Sequence, residues 1–162
     1  MSGVIESYIF LSTEKQHFNT ELLQNLVARS SSMNKRYGIT GFMYQTQPYF
    51  FGYVEGTSKN IAQLKTNLNS DTRHKVIYWL NDKEKQKRRF KSWDLVKKEN
   101  YNDKDADTSS SIFLLLDVLV LSINTFIRNQ VQVSGTKQRE VFEKIDRLAN
   151  LFELIKQNEL HS

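Results

Sequence analysis

The chain has 162 residues and a net charge of +5, which is enough length for one domain with a buried core. It has no cysteine, so disulfides, thiolate nucleophiles and cysteine–zinc sites are excluded. The positive charge permits a polyanionic partner without requiring one. Residues 1–10 lack a basic segment and carry Glu6 within their apolar run, so no secretory signal is predicted and a cytoplasmic location is expected.

The first part of the chain predicts a strand followed by a helix. Apolar and polar residues alternate loosely over residues 4–11, which is typical of a strand. A helix is then expected to about residue 30, with Asn19 or Thr20 as its N-cap, because a short polar side chain can accept from a free N–H of the first turn. Its inner face would carry Leu22, Leu23, Leu26 and Val27. The polar residues that follow are expected to lead on to the next strand.

Residues 38–56 predict a β-hairpin. Two runs rich in aromatic and β-branched residues, 39–44 and 49–55, flank the polar sequence Gln45-Thr46-Gln47-Pro48. Such a pattern indicates two antiparallel strands joined by a loop. Because both runs are mostly apolar, both faces of these strands are expected to be covered at least in part.

A second helix and two further strands are predicted next. The helix starts at residues 56–58, carries Ile61, Leu64 and Leu68 at helical spacing, and ends at residues 71–74. Residues 75–80 and 90–96 are the expected strands, and the basic run 83–89 is the loop between them. The resulting order, β-α-β-β-α-β(β), predicts an α+β fold of the ferredoxin-like kind, an antiparallel sheet with two helices on one face. The order by itself indicates no chemistry.

The last third of the chain predicts a linker and a helical pair, so residues 1–100 and 101–162 are expected to form separate parts. Residues 101–111 are polar, with Thr108 or Ser109 as a helix cap. Residues 112–127 are apolar nearly all round but fall short of the roughly 20 residues of a membrane span, so this helix is expected to be buried. After Gly135, a second helix over residues 137–160 carries a two-heptad seam: Val141, Ile145, Leu148, Phe152 and Ile155. The pair is expected to be structural or to form a homo-oligomer contact.

Four short blocks in the first hundred residues have a distinctive order. They are Asn34 with Gly38-Ile-Thr-Gly, Phe50-Phe51-x-x-Val54-Glu55-Gly56, Asp71-x-Arg73-His74, and Arg88-Arg89-Phe90-x-x-Trp93. In this order and near this spacing, over roughly residues 4–98, they resemble the BLUF family of blue-light-sensing flavin domains. The resemblance implies FAD between the two helices, with the isoalloxazine edge against the sheet. It also implies a C-terminal helical pair and ring-shaped assemblies, which short members of the family often have.

The resemblance further implies which residues would contact FAD: Asn34, Arg73, His74, Asp71, Ser30 and Thr13. The amide of Asn34 would contact a flavin carbonyl and a ring nitrogen, since an amide both donates and accepts. The residues at the end of the second helix would meet the flavin or its phosphate-bearing tail. The residues alone leave alternatives open: Asn34 as a turn residue, and Asp71 with Arg73 as a surface ion pair that ends a helix.

Two positions depart from the family. Its photochemistry uses a tyrosine in the first strand and a glutamine in the third, hydrogen-bonded to each other and to flavin. By the resemblance, these positions hold Leu11 and Gly52, which have neither a proton to give nor an amide to rotate. Tyr8 and Tyr53 are expected to lie too far away or on the opposite face. Leu95 replaces a methionine that the family often has.

These departures imply a degenerate, light-insensitive member. Gly52 would leave a void beside the flavin, and losing the glutamine would remove about 1–3 kcal/mol of hydrogen bonding. FAD binding is therefore expected to be weak or absent. The missing hydrogen bonding by itself would lower the affinity by about one to two decades.

No enzymatic activity is predicted. The three histidines, His17, His74 and His161, show no metal-ligand spacing. The basic run is not expected to bind nucleic acid, because solvated Lys and Arg are ordinary in a loop between strands. Two functions remain: a regulatory protein that works by oligomerisation and by binding a protein partner, or an FAD-binding blue-light or redox sensor that uses displaced residues.

Overall fold

The computed structural model describes residues 4–15, 20–84, 87–130 and 132–160. The chain divides into two compact units, Met1–Val96 and Lys97–Ser162. The predicted N-cap residue Asn19, together with His17 and His161, lies outside the described residues.

The first unit has the predicted α+β architecture. Its elements, in chain order, are β1 (Ile5–Glu14), α1 (Thr20–Arg36), β2 (Thr40–Thr46), β3 (Tyr49–Thr57), α2 (Ser58–Ser70), β4 (His74–Asn81) and β5 (Trp93–Val96). The strand order across the sheet is β4-β1-β3-β2-β5. All pairs are antiparallel except β2 with β5, so the sheet is mixed rather than purely antiparallel as expected. The reason is that the chain crosses from one edge of the sheet at β4 to the other edge at β5.

Both helices of this unit pack on one face of the sheet. On that face, Phe10 and Val54 form a core cluster with Ile61 of α2. Next to it, Met43 and Phe50 cluster with Leu26 of α1 and its neighbours Leu22 and Leu23. These are the helix positions that the apolar spacing predicted.

The helix boundaries follow from local chemistry. Thr57 caps α2, since its Oγ1 accepts from the backbone N–H of Asn60 at 3.4 Å. Helix α1 continues to Arg36, six residues beyond its expected end. Nothing in its polar last third breaks a helix, and the first residue that does is Gly38, whose φ of +63° is open to glycine at little strain.

The opposite face of the sheet holds a buried polar cluster centred on Glu55, here called the Glu55 cluster: Thr40, Tyr53, Glu55, Asp82 and Arg89. The Glu55 carboxylate is fully buried and accepts from the hydroxyls of Thr40 and Tyr53, each at 2.8 Å. It also accepts from the backbone N–H groups of Arg89 and Phe90 at 2.8 Å. Burial, with the nearby Glu55 carboxylate, raises the pKa of Tyr53.

The expectation of a solvated basic loop is therefore wrong for Arg89. Its side chain is only 3% exposed, because the guanidinium donates to Asp82 at 2.6 Å and to the Tyr53 hydroxyl at 2.9 Å. Lys83, Lys87 and Arg88 are exposed as expected, although Arg88 also donates to Thr40.

The second unit is a pair of helices, α3 (Ala106–Asn129) and α4 (Gly135–Leu160), preceded by a short 3-10 helix, Lys98–Tyr101. Asp105, rather than Thr108 or Ser109, is the N-cap of α3, since its carboxylate accepts from the backbone N–H of Thr108 at 3.2 Å. The predicted seam of α4 is buried at all five positions: Val141, Ile145, Leu148, Phe152 and Ile155.

Helix α3 has an inner face and an outer face. The buried inner residues include Ile112, Leu116, Leu119 and Ile123. Leu114 and Leu121 are 67% and 64% exposed, so the expectation that α3 is buried all round is wrong. The helix is also longer than residues 112–127, and by length and composition alone it could cross a membrane, as could the core helix of many soluble proteins.

Candidate functional site

A cavity of about 450 Å³ lies between α1, α2 and the helix-facing side of the sheet. Its apolar lining consists of Phe10, Leu26, Met33, Ile39, Met43, Val54, Leu64 and Leu68, with the larger rings of Tyr37 and Trp93. Its polar lining consists of Arg29, Ser30, Asn34, Asn60, Asn67, Ser70, Asp71, Thr72 and Arg73. A concave site with an apolar wall and several polar side chains is typical of a small-molecule or cofactor site.

Asn34 brings an amide to this cavity from the last part of α1. The residue is 5% exposed, and its side chain has no hydrogen-bond partner among the described residues. Its backbone carbonyl accepts from Ile39 at 2.8 Å, which fixes the start of the hairpin against the helix. The interpretation of Asn34 as a residue of an irregular turn is therefore wrong, since it lies within α1. The residue lines the cavity, so a ligand or water there can complete the hydrogen bonds of its amide.

Asp71 and Arg73 form an ordered turn after α2. The Asp71 Oδ1 accepts from the backbone N–H and the Nε of Arg73, both at 2.9 Å, and Oδ2 accepts from a terminal nitrogen at 2.7 Å. These hydrogen bonds hold the pKa of Asp71 below its usual range, and Asp71 in turn raises the pKa of Arg73. Asp71 and Arg73 do form an ion pair at the end of a helix, as the alternative interpretation proposed, but both residues also line the cavity. The Asp71 carboxylate thus holds the Arg73 guanidinium in place in the cavity wall.

His74 and Thr13 do not line the cavity. His74 is the first residue of β4, is buried, and stacks edgewise on Phe50 at 6.3 Å. Its Nε2 lies 3.6 Å from Asp71, while its Nδ1 has no partner among the described residues. Burial lowers the pKa of His74, more than Asp71 raises it, so the ring is neutral near neutral pH. Thr13 lies in β1 between Tyr49 and Lys75.

The strand residues of the cavity wall are set by the register of β1 and β3. Phe10 pairs with Gly52, and Leu11 pairs with Phe51. Because neighbouring residues of a strand point to opposite faces, Gly52 shares its face with Phe10 and not with Leu11. Phe10 lines the cavity, and Leu11 is fully buried on the opposite face. The interpretation that Leu11 faces a flavin beside Gly52 is thus wrong by one residue.

The void expected at Gly52 is absent as well. The ring of Phe10 lies directly over Gly52, so close that a Cβ built there would be 2.3 Å from two ring carbons. Tyr53 faces the other side of the sheet, as predicted. Tyr8 lies on the opposite face from Leu11, as predicted, and so shares the helix-facing side with Phe10, but it does not line the cavity.

Several lining residues were not predicted, including Arg29, Met33, Tyr37 and Asn60. Met33 and Tyr37 lie three residues after Ser30 and Asn34, and would have been found had the helix been extended past residue 30. Arg29 lies within the predicted helix but was not assigned to the site. Asn60 donates its side-chain N–H to the carbonyl of Tyr37 at 2.6 Å, which ties α2 to the end of α1. The sequence carries no local signal for that contact.

The lining residues fit FAD. The amide of Asn34 lacks a partner among the described residues, Asp71 holds the Arg73 guanidinium in place at the cavity, and the sheet and helices supply an apolar wall for a flat ring. Arg73 and Arg29 are suited to phosphate oxygens, which guanidinium groups bind with paired N–H donors.

A family model described as sensors of blue-light using FAD matches residues 5–96. The photoactivated adenylate cyclase subunit alpha of Euglena gracilis is 33% identical over 67 residues, which is 41% of this chain and 7% of that protein. A Klebsiella pneumoniae BlrP1 structure, a calcium and cyclic-diGMP complex, is 28% identical with a TM-score of 0.51, covering 59% of this chain and 25% of that one. A bacterial light-regulated adenylyl cyclase, at 21% identity, has the same fold with a TM-score of 0.57, covering 76% of this chain and 36% of that chain. The chain thus spans only a small part of these relatives.

Proposed function

Since the chain belongs to the BLUF family of blue-light sensors that use FAD, we propose that it is a regulatory module that keeps the family's cavity without the family's hydrogen-bond switch. The switch would need a tyrosine and a glutamine on the same face of β1 and β3, within reach of each other. The residue opposite Gly52 on the cavity side is Phe10. Neither residue has a hydroxyl or an amide. The proposal rests on this pair, Phe10 and Gly52.

Asn34 would orient FAD through its unpartnered amide, and Arg73, held in place by Asp71, would bind an anionic part of the tail. Ser30 would add a hydroxyl from the preceding turn of α1. When bound, FAD would supply blue-light absorption and an electron-accepting ring. Without a strand amide, we expect binding weaker by about one to two decades than with one, from about 1–3 kcal/mol of missing hydrogen bonding.

The proposed output is contact with a protein partner in the cytoplasm, through a homo-oligomer, without catalysis. No group of three or more potential metal-ligating residues occurs among the described residues. The outer face of α3 supports self-association: Leu114, Val118 and Leu121 are exposed at 4-3 spacing. Nucleic-acid binding is not proposed, since Arg89 of the basic run is buried in the Glu55 cluster.

A second candidate is an FAD-binding blue-light or redox sensor that uses displaced residues. One observation favours it: Trp93, a readily oxidised ring, lines the cavity. Tyr8 lies on the same side of the sheet but further along β1.

Light-minus-dark absorption of the protein reconstituted with FAD tests the proposal. We expect little retained flavin and no reversible red shift under blue light. A reversible red shift that survives Tyr8→Phe and Tyr53→Phe would contradict the proposal. A light response that is lost in Trp93→Phe or Tyr8→Phe would instead favour the second candidate.

A further inference from the structure

In the cavity wall, the ring of Phe10 fills the space that a side chain at position 52 would need. A Cβ built on Gly52 would lie 2.3 Å from Cε1 and Cζ of Phe10 and 3.0 Å from Cδ1. Distances this short do not occur between real Cβ atoms and their neighbours, so the ring and any side chain at position 52 exclude each other. Gly52 has no positive φ, so the exclusion comes from the ring and not from its backbone conformation.

The Phe10 ring has little freedom to make room. Its centroid lies 5.3 Å from that of Trp79, at a tilt of 45°. It also belongs to the buried cluster of Ile39, Val54 and Ile61, and is only 4% exposed. A ring with two torsions and staggered χ1 wells cannot shift sideways by small steps. The open side left to it is the cavity that it lines.

We infer that Phe10 is a specificity-determining residue of the cavity, and that Gly52 is required for its position. Together they close this part of the sheet wall with carbon atoms. A flat ring bound there would receive its hydrogen bonds from α1 and the turn after α2, where Asn34 and Arg73 stand, and none from the Phe10–Gly52 pair. The inference deepens the function proposed above and rests on it for the identity of the ligand, FAD.

A stability cycle in the absence of ligand tests the pair, using Gly52→Ala, Phe10→Ala and the double variant. In the wild-type background, Gly52→Ala should lower Tm by about 5 °C or more, because it overpacks a filled site. In the Phe10→Ala background, the same change should leave Tm unchanged or raise it, since alanine loses less backbone entropy than glycine on folding. The expected result is therefore that the loss of Tm caused by Gly52→Ala disappears or changes sign when the Phe10 ring is removed.

Leu11→Ala is the matched control. Leu11 is next to Phe10 in the same strand and is fully buried, but it points to the other face. It should lower Tm by itself and leave the effect of Gly52→Ala unaltered. Equal effects of Gly52→Ala with and without the Phe10 ring would overturn the inference.

FAD titration of the same variants tests the role in ligand selection. Gly52→Ala should weaken FAD binding roughly tenfold by pushing the ring into the cavity, and Phe10→Ala should restore the affinity of that variant. If the Tm cycle changes sign but no variant binds FAD, the proposed FAD site fails, and with it the selective role of Phe10. If FAD binds but Gly52→Ala leaves its affinity unchanged, the proposed function stands and Phe10 is not specificity-determining.

Discussion

The two faces of the strand pair β1–β3 have different interiors. On one face, the Glu55 carboxylate accepts from the Tyr53 hydroxyl and from the backbone N–H of Arg89, and the Arg89 guanidinium donates to Tyr53 and Asp82. On the other face, carbon atoms of Phe10 and Val54 adjoin a cavity where the amide of Asn34 has no partner among the described residues. A polar group that is satisfied internally stabilises the fold, whereas one left without a partner is available to a ligand. We therefore assign stability to the first face and binding to the second.

The largest effect is expected for Glu55→Ala, which tests whether the Glu55 cluster stabilises its face of the sheet. It removes the shared acceptor of two hydroxyls and two backbone N–H groups, which would remain buried. The free energy of unfolding should fall by about 3–5 kcal/mol, as for other broken buried charge networks. Urea unfolding measures it. Unchanged stability would show that the Glu55 cluster is not what holds this face together.

Helix α3 allows the same comparison between an inner and an outer face. Leu116→Ala should cost about 2–5 kcal/mol of stability because Leu116 is fully buried. Leu114→Ala should change it by less than about 0.5 kcal/mol, since Leu114 is mostly exposed. Thermal unfolding of both variants checks the difference.

The oligomer contact proposed for α3 is tested by charge on the outer face. Leu116 and Leu119 are unsuitable for this test, because both are buried inside the unit and a Glu at either position would unfold it. Leu114→Glu and Leu121→Glu should instead reduce the assembled mass while the chain stays folded, as measured by light scattering and circular dichroism. A monodisperse wild-type monomer at tens of micromolar would contradict the contact.

On the cavity face, Asn34→Ala should lower FAD affinity about tenfold, for the loss of roughly 1–1.5 kcal/mol of hydrogen bonding. Stability should change little, because the Asn34 side chain has no partner among the described residues to lose. Fluorescence titration with FAD and thermal unfolding without it separate the two effects. A large loss of stability in the protein without FAD would show instead that Asn34 stabilises the fold.

The smallest expected effect concerns His74. Its pKa is lowered by burial, with further contributions from Asp71, which raises it, and from Arg73 and Lys15, which lower it. Below about pH 6.5 the unfolded chain takes up a proton that the folded chain does not, so stability falls as the pH falls. His74→Gln should flatten this dependence between pH 7 and pH 5. Asp71, with its lowered pKa, contributes only below that range. An unchanged slope would show that His74 is not the group responsible.

Much of the fold could be predicted from the sequence because its signals are local. The cap at Thr57, the apolar spacing of α2 and the seam of α4 depend on residues a few positions apart. The face to which a strand residue points is harder to predict, because a shift of one position reverses it. The sequence alone did not distinguish Phe10 from Leu11. The burial of Arg89 depends on Asp82 and Tyr53, which meet it only through tertiary structure. Of the predicted FAD contacts, Ser30, Asn34, Asp71 and Arg73 line one cavity, while Thr13 and His74 do not.

The apolar character of α3 has a consequence during synthesis. The ribosome completes α3 at Asn129, before any of α4 exists. At about 5–20 residues per second, the remaining residues to the end of α4 take roughly 2–6 seconds. Until α4 has been made and has packed on α3, Leu116, Leu119 and Ile123 lack the helix that covers them, so a chain that stopped before α4 would expose the apolar inner face of α3. The order in which the two helices emerge thus makes α4 the segment that ends this exposure.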